Sequence, residues 1–249
     1  MPLQSYWQTS LPGSGHDVTS TLVSGTNVYA ACNGHVYRLD LTSGKVLQEK
    51  NLPGYGENEI RLAISETDST LIVGIVGYVV ALDSTSLTPK WKSLPGSGYA
   101  VTTVAGGEGR CFAICNGYLY MLEASTGRLG RRNDLSGTGK AESQLALRGD
   151  GGVLFVGVNG YGVAVRASDI STIYLTSLPG CGYNLTHVVA GKVFAYFGCN
   201  GYLYSVDESG AIVNTNALPG LGKHQTRITL DVAGGERLVA GINGYAVGL

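Results

Sequence analysis

Apolar and polar residues alternate along this chain in short runs, and each run ends in a turn signal. Residues 110–123 show the pattern: RCFAIC, then Asn116-Gly117, then YLYMLE. Alternation of period two puts successive side chains on opposite faces of a strand. Asn-Gly between two such runs is a strong short-range hairpin signal. AVTTVAG before and RLGRRN after complete a set of four runs, set off by Gly107-Glu108-Gly109 and Ser125-Thr126-Gly127. No apolar pattern of helical period with caps occurs, so the chain reads as all-β.

The set of four recurs. A turn of the form LPGxG opens it at Leu11, Leu52, Leu94, Leu135 (as LSGTG), Leu178 and Leu218, at separations of 41, 42, 41, 43 and 40 residues. A fixed period of this size means stacked supersecondary units, and four short strands in about 42 residues describe a propeller blade. Five of the seven prolines lie in these turns, outside the strands, where proline belongs. The last unit stops after its third strand, at NGYAVGL, and residues 1–10 are what it lacks. The expectation is a single domain, 1–249: a six-bladed β-propeller with four antiparallel strands per blade. Its blades run 11–51, 52–93, 94–134, 135–177, 178–217 and 218–249 plus 1–10, the N-terminal strand closing the ring. Units one, three and five carry Cys32-Asn33-Gly34, Cys115-Asn116-Gly117 and Cys199-Asn200-Gly201, and the even units do not. The ring is therefore expected to be pseudo-threefold, built of blade pairs.

The later strands of a unit, ALDSTSLTPKW and RLDLTSGKVL, resemble the repeat of the quinoprotein (PQQ) dehydrogenase-like propellers, roughly Ala-x-Asp-x-x-Thr-Gly-x-x-x-Trp. The resemblance implies blade topology. It carries no cofactor, because only Trp7 and Trp91 stand near the docking tryptophan position and no adjacent cysteine pair is present. In architecture the chain is also similar to the small propeller lectins of fungi and bacteria, without a shared motif.

Topology puts the LPGxG and Asn-Gly turns on one face, the top. An aromatic ring follows each Asn-Gly position: His35, Tyr78, Tyr118, Tyr161, Tyr202 and Tyr245. Near the top of the inner strands, even units carry Glu59-x-Arg61, Glu142-x-Gln144 and Gln225-x-Arg227, each pair sharing a strand face. Just before the matching position, odd units offer His16, Tyr99 and Tyr183. Two readings stand side by side. These residues either pack and bond the interblade core, or form repeated pockets whose planar polar groups and aromatic walls suit sugars. Residue x of the turn varies (Ser14, Tyr55, Ser97, Thr138, Cys181, Leu221), which predicts that it faces solvent.

Charge narrows the functions. With 17 basic and 18 acidic residues, and net charge −1, the chain has no electrostatic footprint for nucleic acid or an anionic membrane. No apolar run approaches the ~20 residues of a membrane span. The N-terminus lacks the pattern of a signal peptide, so the expectation is a cytoplasmic protein with five reduced thiols, unconventional export remaining open. No GxSxG, HExxH or CxxC motif occurs. The leading expectation is a non-enzymatic, multivalent carbohydrate-binding protein whose partners are glycans or glycoconjugates, with no cofactor and no metal. The alternatives are an enzyme or small-ligand binder at the central channel, and a protein-interaction scaffold.

Overall fold

The computed structural model describes residues 7–13, 18–55, 59–94, 102–139, 142–182, 185–218, 225–231 and 237–249. Among these there is no helix, and the strands form six sheets, each a meander in which consecutive strands are neighbours. Sheet one is β1 (Ser20–Ser24), β2 (Asn27–Cys32), β3 (His35–Asp40) and β4 (Val46–Asn51). Sheet two is β5 (Ile60–Ser65), β6 (Thr70–Ile75), β7 (Tyr78–Asp83) and β8 (Pro89–Ser93). Sheet three is β9 (Thr103–Gly107), β10 (Arg110–Cys115), β11 (Tyr118–Glu123) and β12 (Leu129–Asn133). Sheet four is β13 (Ser143–Leu147), β14 (Val153–Val158), β15 (Tyr161–Arg166) and β16 (Thr172–Ser177). Sheet five is β17 (His187–Ala190), β18 (Ala195–Cys199), β19 (Tyr202–Val206) and β20 (Ile212–Ala217). Sheet six has three strands, β21 (Arg227–Asp231), β22 (Arg237–Ile242) and β23 (Tyr245–Gly248). The chain falls into two compact units, 1–113 with 122–129, and 114–121 with 130–249.

The hairpins form where the sequence predicts them. Asn33, Asn116, Asn159, Asn200 and Asn243 have φ of 47 to 53°, each followed by a glycine at 76 to 81°. Positive φ at both positions defines a type I′ turn. Val76 takes the asparagine position in sheet two at φ 31°, a conformation that branched side chains resist. At the opposite end of sheets one, two and five an aspartate organises the turn. Asp40 accepts from the Thr42 and Ser43 N–H groups at 3.2 and 2.7 Å, and Asp83 does the same for Thr85 and Ser86 at 3.0 and 2.8 Å. This explains the Asp of the repeat signature: it is an Asx-type turn cap.

The cores lie between sheets. In the first unit Tyr29, Ala31 and Val36 of sheet one pack on Ile60, Leu71, Val73 and Leu82 of sheet two. In the second, Phe155 and Ala164 of sheet four pack on Val188, Phe197 and Tyr204 of sheet five. Because the middle strands are covered on both faces they read as near-continuous apolar runs, and all six residues of β6 are buried. Glycines set the approach of neighbours. A Cβ added at Gly74 would lie 2.0 Å from the Thr102 carbonyl oxygen, and one at Gly157 would lie 2.2 Å from that of Thr186.

Outer strands dock on the turn of the next sheet. The Trp91 indole N–H donates to the Ala124 carbonyl at 2.8 Å, and its ring lies against Gly127. Trp7 does the same on sheet one, donating to the Leu41 carbonyl at 2.9 Å with its ring against Gly44. Residues 7–10 form no strand, and 1–6 lie outside the described residues.

The cysteines depart from expectation. Cys181 and Cys199 are joined as a disulfide, their Cα atoms 5.3 Å apart, whereas Cys32, Cys111 and Cys115 are buried thiols. That spacing suits a disulfide. Residue x of the LPGxG turn also departs. Thr138 and Cys181 are buried, because the turn folds down over the end of its own sheet. Tyr55 is half-buried, and Ser14, Ser97 and Leu221 lie outside the described residues.

Candidate functional site

The LPGxG turn is a strap between two sheets. Its leucine is tied to the preceding sheet: Leu52, Leu178 and Leu218 donate their N–H groups to the carbonyls of Gly34, Gly160 and Gly201 at 2.8, 2.8 and 2.9 Å. Its next residues land on the following sheet. The Tyr37 hydroxyl donates to the Pro12 carbonyl and the Tyr204 hydroxyl to that of Pro179. Burial pushes the Tyr204 phenol up to about 12, so it stays a donor. Asn159 and Asn200 amides donate to the carbonyls of Thr138 and Gly180, both at 2.7 Å.

Against this strap lie the rings that follow Asn-Gly. A Cβ at Gly13 would sit 2.9 Å from the His35 ring, and one at Gly180 would sit 2.9 Å from that of Tyr202. Glycine is required there both for positive φ (75° and 87°) and for the close approach of the ring. His35, Tyr78, Tyr118, Tyr161 and Tyr202 are half-buried, and Tyr245 is exposed. The rings differ in what caps them. Tyr78 meets Tyr55 edge-on at 5.1 Å, and the Lys92 ammonium stands 5.5 Å from both ring centroids. Arg132 stands 5.1 Å over Tyr118, and His35 faces Glu49 at 3.3 Å. Tyr202 stacks on Tyr204 at 6.2 Å.

The inner-strand pairs do not form three equivalent sites. Arg61 bonds Glu59, the residue just before β5, so these two opposite charges meet each other. Glu142 is half-buried, and Gln144 is buried, with no hydrogen-bond partner for its amide nitrogen among the described residues. Gln225 and Arg227 are exposed. His16, Tyr99 and Tyr183 lie outside the described residues. Threonines at the middle position of the equivalent inner-strand triplet, in units three, five and six, are the latches. Thr102, Thr186 and Thr226 are fully buried and accept from the N–H of Gly77, Gly160 and Gly201 at 2.9, 2.8 and 2.8 Å. Each joins the start of an inner strand to the second-to-third-strand turn of the sheet before it, Asn-Gly in two cases and Val76-Gly77 in the third. The repeated threonine was the available signal; a polar residue at a fixed repeat position in an apolar strand implies a fixed partner.

Two grooves open beside the outer strands. One, of about 380 Å³, is lined by Lys50, Leu52, Tyr55, Val80, Lys90, Trp91 and Lys92. The other, of about 500 Å³, is lined by Arg131, Arg132, Asn133, Asp134, Asp169 and Ser171. No group of three His, Cys, Asp or Glu side chains among the described residues is placed to hold a metal ion.

No family model and no curated protein matches the chain. Solved structures do. BamB from Moraxella catarrhalis is 19% identical with a TM-score of 0.67, the match covering 92% of this chain and 70% of BamB. The computationally designed protein Ika8 is 16% identical with a TM-score of 0.76, covering 96% of this chain and 72% of the designed one. Together with the repeated antiparallel sheets, these likenesses support a β-propeller fold. At such identities they speak of the fold alone.

Proposed function

We propose that this chain is a non-enzymatic, multivalent glycan-binding propeller that holds its ligands at the rim of LPGxG and Asn-Gly turns. The observation that carries the reading is the turn–ring pair. Half-exposed aromatic rings lie beside side-chain-free backbone at Gly13–His35 and Gly180–Tyr202. A ring offers its face to sugar C–H groups, while bare backbone lets hydroxyls approach. Repetition raises avidity without any new contact.

The reading includes a ring of six sheets closed by residues 1–10. Thr19 is exposed where Thr102, Thr186 and Thr226 are buried, and Gly241 is open where Gly74 and Gly157 meet a neighbour's carbonyl. On this reading they would be two halves of one interface that ring closure completes. Trp7 and Thr9 dock on Gly44 as Tyr174 and Thr176 dock on Gly210, which supports residues 7–9 as the outer strand preceding sheet one. The Cys181–Cys199 bond favours an oxidising compartment over the cytoplasm. A second reading, a protein-interaction scaffold, draws on Lys92 and Arg132, whose charges over Tyr78 and Tyr118 would meet an acidic partner.

A glycan array probed with the labelled protein tests the proposal. Binding to a defined sugar set, weakened at least tenfold in Tyr202→Ala with the melting temperature preserved, is expected. An array without signal overturns it.

A further inference from the structure

We infer that the groove between sheets one and two is an anion site for sugars, selecting glycans that carry sulfate or carboxylate; this rests on the carbohydrate reading above. The groove runs between the outer strands β4 and β8, directly under the rim. Among the described residues three lysines line it and no carboxylate does. They are not equivalent. The Lys90 ammonium is turned inward, donating to the carbonyls of Asp68 and Ser69 at 2.9 and 3.0 Å and to Thr70 Oγ1 at 3.0 Å, with Asp83 3.7 Å away. It holds the sheet together. Lys92 is exposed, and its ammonium is steered by the Tyr55 and Tyr78 rings with no acid paired to it among the described residues. Lys50, on the facing strand, has no acidic partner among the described residues. Two cations thus flank a cleft whose walls are Tyr55 and Trp91, and whose volume suits one or two sugar rings.

The groove beside β12 shows that this is not the general outcome of the repeat. There Arg131 and Arg132 share the lining with Asp134 and Asp169, and the Arg131 charge is one reason the Asp169 carboxyl lies below its ordinary range, after its bonds from Ser171. That groove neutralises itself. The Glu49 carboxylate, on the same strand as Lys50, is engaged by His35. Of these two grooves, as the described residues line them, the first keeps a net positive lining beside aromatic surface, and that combination recognises an anion mounted on a ring.

The test is calorimetric titration of the whole chain with three probes: a heparin-derived tetrasaccharide, neutral chitotetraose and a glutamate octapeptide. The tetrasaccharide should bind, and the Lys50→Gln/Lys92→Gln double variant should bind it about tenfold more weakly, each lysine contributing a factor of three to five. Raising salt from about 50 to 300 mM should weaken it further, and Lys45→Gln, outside the groove, should not. Tetrasaccharide binding that survives the double substitution overturns the site. Chitotetraose bound without the tetrasaccharide overturns the anion preference and leaves the carbohydrate reading standing. The peptide bound as tightly as the tetrasaccharide overturns both, in favour of an acidic protein partner. Should the double variant fail to match the wild-type melting temperature, Lys50→Gln alone decides by its three- to fivefold effect.

Discussion

Sheets five and six are written in the same code and end in different states. The β18 strand of sheet five is covered on both faces, four of its five residues being buried. The β22 strand of sheet six alternates strictly, with Leu238, Ala240 and Ile242 packed toward sheet five and Arg237, Val239 and Gly241 exposed. A strand whose sequence lacks polar residues on one face is built to be covered there. RLVAGI offers Val239 and Gly241 to solvent, as no middle strand of the other sheets does. The difference teaches that the repeat is an interface code as much as a strand code: each sheet carries half of a contact that only its neighbour completes.

The glycine of the second strand breaks this comparison most forcefully. Gly157→Ala would press a Cβ to 2.2 Å from the Thr186 carbonyl, against backbone that cannot yield cheaply. A loss of about 3 kcal/mol is expected by urea denaturation, at the upper end for overpacking. Gly241→Ala meets nothing within 4 Å. If sheet six is sealed by sheet one, Gly241→Ala should cost as much as Gly157→Ala; a neutral or stabilised Gly241→Ala protein removes the closed ring.

The disulfide comes next. It closes a segment of 18 residues and pins the strap to the end of β18 in sheet five alone. Cys181→Ser should lower stability by about 3 kcal/mol, the chain-entropy figure for a loop of this length. Thiol titration of the denatured, unreduced protein should find three reactive cysteines, matching Cys32, Cys111 and Cys115. Finding five would restore the fully reduced reading and leave Cys181→Ser nearly silent.

How far the sequence anticipated this molecule follows from what each residue depends on. The strands and the type I′ hairpins were legible because alternation and Asn-Gly act through local geometry. The docking of Trp7 and Trp91, on carbonyls 34 and 33 residues away, was suggested only by the resemblance to the quinoprotein repeat. The Cys181–Cys199 bond was not, since nothing in CGYN or FGCN says that turn position x folds inward over the strand end. Along the repeat the same turn position holds serine in units one and three, Ser14 and Ser97, and cysteine only in unit five. The candidate pairs misled for a related reason. Glu59-x-Arg61 looks like an offered acceptor and donor, but two opposite charges two residues apart can satisfy each other, as they do here. The threonines beside them looked inert, and their role appears only once the neighbouring sheet is in place.

Those threonines give a finer version of the sheet comparison. Thr186→Val keeps the shape and removes the acceptor for the buried Gly160 N–H, at an expected cost of about 1–3 kcal/mol. Thr19→Val is the matched experiment at the open end. With the ring closed it should fall in the same range, and amide exchange at Gly244 should accelerate as it does at Gly160 in Thr186→Val. With the ring open, Thr19→Val is silent by both measures.

The smallest effect concerns the turns at the far end of the sheets, where the two regions should behave alike. Asp207 accepts from the Ser209 hydroxyl and from the Ser209 and Ala211 N–H groups at 2.6, 2.9 and 3.0 Å, and these bonds hold its carboxyl below the ordinary range. Asp40 and Asp83 are lowered in the same way by Ser43 and Ser86. A group depressed in the folded state contributes stability above its unfolded pKa, about 3.9, and loses it as pH falls through the lower folded value. The melting temperature should therefore hold from pH 7 to about 5 and decline below 4. Asp207→Asn should lower the plateau slightly and flatten that decline, because the amide oxygen still accepts but no longer titrates. The same substitution at Asp83 should act equally, since the cap is local and does not depend on whether a neighbouring sheet is present. A decline that Asp207→Asn leaves unchanged would assign the acid loss to other carboxylates.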